Sequence, residues 1–181
     1  AKLNFGTHNT AEETNRYAAL LFALREVFAD NPKAPPMIEG VEFALHFKHD
    51  NPKPFCRKIP KLTMEQKEEY SKQALSMLVN GIIEFSDSDW ATVPVFAPKK
   101  DGGIRTALDY RYLNDLCTAD SQPMPNLIDT LENLSRAAVV STFDGAAGFW
   151  ALNMRQCDRK YAAFHAYIQG GWHLVQPTRM M

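Results

Sequence analysis

Val95-Phe96-Ala97-Pro98-Lys99-Lys100-Asp101-Gly102-Gly103-Ile104-Arg105 runs on into Leu108-Asp109-Tyr110-Arg111-Tyr112-Leu113-Asn114, and the stretch closes at Val139-Val140-Ser141-Thr142-Phe143-Asp144. The first part reads as a β-hairpin between Thr92 and Arg111. Apolar and β-branched residues flank an Asp-Gly, the strongest short signal for such a turn. Strand alternation places Arg105, Ala107, Asp109 and Arg111 on one face and Ile104, Thr106 and Leu108 on the other. Lys99 and Lys100 at the tip, with Arg105 and Arg111 along one face, form a cationic surface. Such a surface suits phosphate, by bidentate contact from Arg and point charge from Lys. The last part predicts an apolar strand over 137–143 that ends in a lone carboxylate, Asp144, ahead of Gly145-Ala146-Ala147. A metal-binding Asp is held in this way at a strand end.

Downstream, Phe149 to Met154 alternate as a further strand, and Asp158-Arg159-Lys160 reads as a polar turn. Tyr161 to Ile168 and Trp172 to Gln176 predict a last hairpin around Gln169-Gly170-Gly171. Between hairpin and Asp144, residues 115–124 read as a loop. Met124-Pro125 then opens a helix whose apolar face, Leu127, Ile128, Leu131 and Leu134, is expected to pack in the core.

Upstream, Thr63-Met64-Glu65-Gln66 is a capping box for a helix to about Val79, stopped by Asn80-Gly81. Ile82 to Phe85 follows as a short strand, and Trp90 is expected to pack beneath the polar loop 86–89. Residues 31–62 are rich in proline and read as a linker or an extended strap, with a short strand over 42–48. Lys48, Lys53, Arg57, Lys58 and Lys61 make this strap basic. It is either a solvated face or a contact for a nucleic-acid backbone. His46 and His49 have no partner at metal-ligand spacing. Thr10-Ala11-Glu12-Glu13 predicts a first helix over 11–29, with Tyr17, Leu20, Leu21, Leu24, Val27 and Phe28 on one face, for the core or for docking.

The bulk composition sets limits. The 181 residues suffice for one core, or for one domain and an arm. Apolar content of 45% and charged content of 23% are ordinary for a globular chain. The net charge of −1 is low for a dedicated nucleic-acid binder, so any such contact must be a local patch. Cys56, Cys117 and Cys157 are far apart and form no C-x-x-C, which predicts reduced thiols and an intracellular, reducing compartment. No apolar run approaches the ~18 residues of a membrane span. The chain starts at Ala1, which leaves open an upstream segment and, with it, an organellar compartment.

These pieces resemble a family. Gly81-Ile82-Ile83-Glu84 with Ser86-Asp87-Ser88, Lys99-Lys100-Asp101-Gly102, Arg105, Asp109-Tyr110-Arg111, Leu113-Asn114, Phe143-Asp144, Gly148-Phe149 and Lys160-Tyr161-Ala162-Ala163-Phe164 stand in the order, and near the spacing, of the reverse transcriptase of gypsy-type retrotransposons and retroviruses. The resemblance covers roughly residues 40–181. It implies an α+β chain: a partial right-hand polymerase fold, fingers plus an incomplete palm, with an N-terminal helix and a Pro-rich strap. Three parts are expected: residues 1–62 as helix and basic strap, 63–136 as the fingers-like segment, and 137–181 as the palm segment carrying Asp144.

The resemblance also implies roles. Lys99 and Arg105 would contact the incoming triphosphate, and Phe149 would pack on its sugar. Asp144 would be the first metal-binding Asp. Lys53, Arg57, Lys58, Lys61, Lys100 and Arg111 are candidates for nucleic-acid contact. The family's Mg²⁺ chemistry uses two ions ~3.5–4 Å apart, held by several carboxylates. Two of the family's aspartates belong to a Tyr-x-Asp-Asp hairpin that these 181 residues do not contain. The chain as given is therefore expected to bind no catalytic cofactor and to be inactive. It is read as a structural or nucleic-acid-contacting subunit of a larger protein or ribonucleoprotein assembly that covers an open palm edge. The alternative is the fingers and palm part of an active RNA-directed DNA polymerase.

Overall fold

The computed structural model describes residues 9–28, 31, 33–98, 103–119, 122–138, 140, 142, 145 and 147–181. Helix α1 spans Ala11–Ala23 and continues as a single 3₁₀ turn over Arg25–Val27. A two-residue strand β1, Glu42–Phe43, follows, and then helix α2, Met64–Val79. Strand β2 is Ile83–Phe85; β3, Pro94–Pro98, and β4, Ile104–Leu108, form the hairpin. Helices α3, Arg111–Leu116, and α4, Leu127–Ser135, precede a 3₁₀ turn at Gly148–Ala151 and strand β5, Asn153–Met154. A 3₁₀ segment, Gln156–Ala162, leads into β6, Phe164–Ile168, and β7, Gly171–Pro177.

The core lies between α2 and an antiparallel sheet ordered β2-β7-β6. Phe164, Ala166 and Ile168 alternate along β6 and are all buried, as period-two patterning requires. They meet Tyr70 and Ala74 of α2, with Ile82, Ile83 and Val175. Full burial of a side chain such as Phe164 is worth ~1.5–3 kcal/mol. The Tyr70 hydroxyl donates to the His165 carbonyl at 2.8 Å, tying the helix to the strand's backbone. Both helix starts carry the expected capping boxes, Thr10 with Glu13 and Thr63 with Gln66. Gly81, at φ +65°, closes α2 in the left-handed conformation that glycine tolerates. In the last hairpin Gln169 and Gly170 both have positive φ, the geometry that fits a two-residue turn to strand twist.

The Pro-rich segment is an ordered strap. Ala91 N–H donates to Phe55 O at 2.8 Å and Arg57 N–H to Ala91 O at 2.9 Å. Residues 91–92 are in turn joined to β6: Thr92 N–H donates to Ala163 O and His165 N–H to Thr92 O. Strand β1 pairs in parallel with β5. Asp158, in the expected polar turn, is instead buried, and its carboxylate accepts from Leu45 N–H at 2.9 Å.

Several expectations are corrected. The first helix ends at Ala23 rather than 29, and α1 buries no residue: Leu20 is 56% and Phe22 69% exposed. The strand over 42–48 shrinks to Glu42–Phe43 plus a bridge at Phe47. Helix α4 exists, but its apolar face is exposed rather than in the core, with Leu127 at 71% and Ile128 at 64%. Of the strand expected over 137–143, the described residues 137, 138, 140 and 142 belong to no strand, and Val140 is exposed. A strand is made by its neighbour's hydrogen bonds, and no described strand pairs with this segment. The strand expected from Phe149 to Met154 shrinks to β5, Asn153–Met154, after a 3₁₀ turn that ends at Ala151.

Candidate nucleic-acid interface

Strand β4 ends at Leu108, four residues after it begins, and this decides where the cations go. Arg105 and Ala107 are exposed and Ile104, Thr106 and Leu108 half-buried, as alternation predicts. The alternation stops there. Asp109 is buried, not on the exposed face, and Arg111 is the first residue of α3, not of a strand. The chain turns because the Asp109 carboxylate accepts from the Arg111 backbone N–H at 3.3 Å, a local bond that Asp readily makes.

That carboxylate organises the site. Arg111 donates through Nε to Oδ1 at 2.8 Å and through Nη2 to Oδ2 at 2.9 Å, a bidentate fork. Arg57, from the strap, reaches the same Oδ2 at 3.1 Å. The Arg111 hydrogen bonds, and the charges of Arg111 and Arg57, hold the Asp109 carboxyl down to about 2 against the opposing effect of its burial. Two guanidinium groups from distant segments thus share one buried anion, and the cluster keeps one net positive charge. Arg111's side chain stays 80% exposed, so its outer edge is open to a ligand.

An aromatic stack flanks the cluster. The Phe55 and Tyr112 rings stack at 4.2 Å between centroids, and the Arg57 guanidinium lies 5.5 Å from the Phe55 ring centre. Lys53, Lys58 and Lys61 are exposed along the same strap. Together these residues make a rigidly held, locally cationic surface with apolar faces, on a chain of nearly neutral charge.

The other expected site residues divide in two. Arg105 is exposed on β4 and borders a cavity of about 720 Å³ with Lys72 of α2. Phe149 is 65% exposed in the 3₁₀ turn. Lys99, Lys100 and Asp144 lie outside the described residues. The same holds for any Mg²⁺ site centred on Asp144, and among the described residues no three His, Cys, Asp or Glu side chains gather as metal ligands. Among the described residues the three thiols are free, and no helix is long and apolar enough to cross a membrane.

Sequence reasoning missed Asp109 as the anchor. The Asp-x-Arg spacing is visible, but alternation carried through Arg111 runs three residues past the strand's end at Leu108. Asp158, Phe55 and Tyr112 gave no local signal, because their partners are distant in sequence.

No family model matches the chain. Among curated proteins it is 26% identical over 162 residues to a retrovirus-related Pol polyprotein from transposon 297 of Drosophila melanogaster, covering 87% of this chain and 15% of that protein. It is 26% identical over 145 residues to the Tf2-3 transposon polyprotein of Schizosaccharomyces pombe, covering 80% of this chain and 11% of that one. A genome polyprotein of Petunia vein clearing virus is 33% identical over 87 residues, 46% of this chain and 4% of the polyprotein. The chain thus spans a small part of the relatives it matches. Its fold matches prototype foamy virus protease-reverse transcriptase with a TM-score of 0.69 at 18% identity, over 97% of this chain and 23% of that one. The same viral protein in complex with RNA/DNA hybrid gives 0.70 at 18% identity, over 96% and 23%. In sequence and in fold, the chain resembles part of the reverse transcriptase of retrovirus-like, gypsy-type LTR retrotransposons.

Proposed function

We propose that this stretch of chain is a reverse-transcriptase-derived, nucleic-acid-contacting module that does not by itself transfer nucleotides. The observation that carries this reading is the Asp109 clamp, which draws Arg57 of the strap and Arg111 of α3 onto one surface beside the Phe55–Tyr112 stack. Fixed guanidinium groups suit phosphate, and neighbouring aromatic faces suit bases. A foamy virus relative in fold is recorded with RNA/DNA hybrid, which supports the same ligand class here. By resemblance Asp144 is one metal-binding aspartate, and two-metal phosphoryl transfer needs several carboxylates held together. In a larger protein or ribonucleoprotein assembly the module would hold nucleic acid rather than react with it.

The test is binding of a fluorescent RNA/DNA hybrid as salt is raised. Each lost phosphate contact should reduce the log–log slope by ~0.9. Arg57→Ala with Arg111→Ala should weaken binding and flatten the slope by about two such contacts. An unchanged slope would sink the proposal.

A second reading is part of a working RNA-directed DNA polymerase that uses Mg²⁺. The exposure of Arg105 and Phe149 favours it, since both remain open to a nucleotide. A longer chain should then extend a primer on RNA, and Asp144→Asn should abolish extension. If Asp144→Asn leaves extension intact, this reading fails.

A further inference from the structure

We propose that Cys56 is a reactive thiol, with His165 as its base, and that it takes up small disulfides as a mixed disulfide. The Cys56 Sγ lies 3.9 Å from the His165 Nε2, within hydrogen-bonding reach of sulfur, although 109 residues separate the two in the chain. Cys56 is exposed and His165 half-buried. A nucleophile beside a positioned base is the arrangement that activates a thiol. Among the described residues no third His, Cys, Asp or Glu gathers with the pair, so it suits covalent chemistry better than a metal ion.

Two consecutive residues, Ala91 and Thr92, hold the pair together. Cys56 forms a parallel bridge with Ala91, which bonds to Phe55 and Arg57 on either side of the thiol. His165 N–H donates to Thr92 O at 3.0 Å, and the His165 carbonyl accepts from the Tyr70 hydroxyl at 2.8 Å. Burial lowers the His165 imidazole below its ordinary 6.5, so at pH 7 the ring is neutral. With its proton on Nδ1, it keeps an acceptor lone pair at Nε2. Side chains alternate along an extended strap, and Phe55 and Arg57 face Tyr112 and Asp109. Cys56 faces the other way. The thiol therefore lies apart from the arginine clamp, and its chemistry does not depend on nucleic-acid binding there.

In the reaction the Cys56 proton passes to Nε2, and the thiolate attacks one sulfur of the disulfide. That S–S bond breaks as the new one forms. Cys56 is oxidised, the departing sulfur is reduced, and it leaves as a thiol with the proton from His165. The other two thiols lack this arrangement. Cys157 is also exposed, but its hydrogen-bond partner is the Asp158 carboxylate, at 3.6 Å. Cys117 is less exposed, and burial pushes its thiol up.

Oxidised glutathione incubated with the full chain, followed by mass spectrometry of the cysteine peptides, measures each rate. Cys56 should react about 10²-fold faster than Cys157, the low end of what a positioned base contributes. His165→Gln should bring Cys56 down to the Cys157 rate and leave Cys157 unchanged, with a slow Cys117 reporting that the variant is folded. In urea, which separates Cys56 from His165, the wild-type rates should converge, and this arm needs no variant. A Cys56 no faster than Cys157 would overturn the proposal. So would a Cys56 rate that survives His165→Gln in the folded chain. An advantage that persists in urea would overturn it equally, because it would belong to the basic residues beside Cys56 and not to the base.

Discussion

Arg111 grips Asp109 through two parallel hydrogen bonds, at 2.8 and 2.9 Å, although a single residue separates them in the chain. This is possible because the strand stops at Leu108 and the helix starts at Arg111. The bend turns the carboxylate inward while its arginine partner stays at the surface. Arg57 then completes the clamp from more than fifty residues away.

The clamp should be visible in acid. Asp109 titrates at about 2 in the folded chain, below its ordinary 3.8. A depressed folded value means that the stabilisation is fully present above about pH 4 and is lost as pH falls towards 2. Asp109→Asn should lower stability near pH 6 by about 1 kcal/mol, a figure reduced for solvent screening of the two exposed guanidinium groups. The gap between the two proteins should narrow as pH falls through this window. Urea midpoints measured from pH 6 to pH 2 check this; a constant gap would show that the charge on Asp109 does not stabilise the fold.

The two capping boxes should differ in consequence. Thr63 starts α2, which supplies Tyr70 and Ala74 to the core. Thr10 starts α1, which buries nothing. Thr63→Ala should cost ~1 kcal/mol of global stability, the usual cost of a lost N-cap. Thr10→Ala should leave the urea midpoint unchanged and reduce only helical content. Equal losses at both positions would mean that α1 is coupled to the core.

Much of this fold is legible in the sequence where a local rule governs. Both capping boxes, the β3–β4 hairpin and the final hairpin follow from patterns within a few residues. The rest depends on partners far away. The Leu127–Leu134 stripe correctly predicts helix α4, but amphipathicity says only that a face wants burial, not that a described neighbour supplies it. Asp109 and Arg111 continue a strand's alternation on paper, and only the Asp side chain's bond to the next turn breaks it. The Arg57 partnership was not visible, because no pattern in the strap points to residue 109.

Tyr70 offers a test of how firmly α2 and β6 are joined. Its hydroxyl is buried with the ring, burial pushes the phenol far above its ordinary range, and its bond to the His165 carbonyl is 2.8 Å long. Tyr70→Phe keeps the ring that meets Phe96 edge-on at 5.4 Å and removes only the donor. A typical lost hydrogen bond costs ~0.5–1.5 kcal/mol, and an unsatisfied buried carbonyl adds to this. The expected loss is therefore about 1–2 kcal/mol. Amide exchange should locate it: protection should fall in 164–168 and in α2 together. Loss confined to α2 would mean that β6 is held by the sheet alone, because β7 pairs with it along all five of its residues. The shared buried face of Phe164, Ala166 and Ile168 argues for the coupled outcome, since α2 cannot loosen without exposing that face to water.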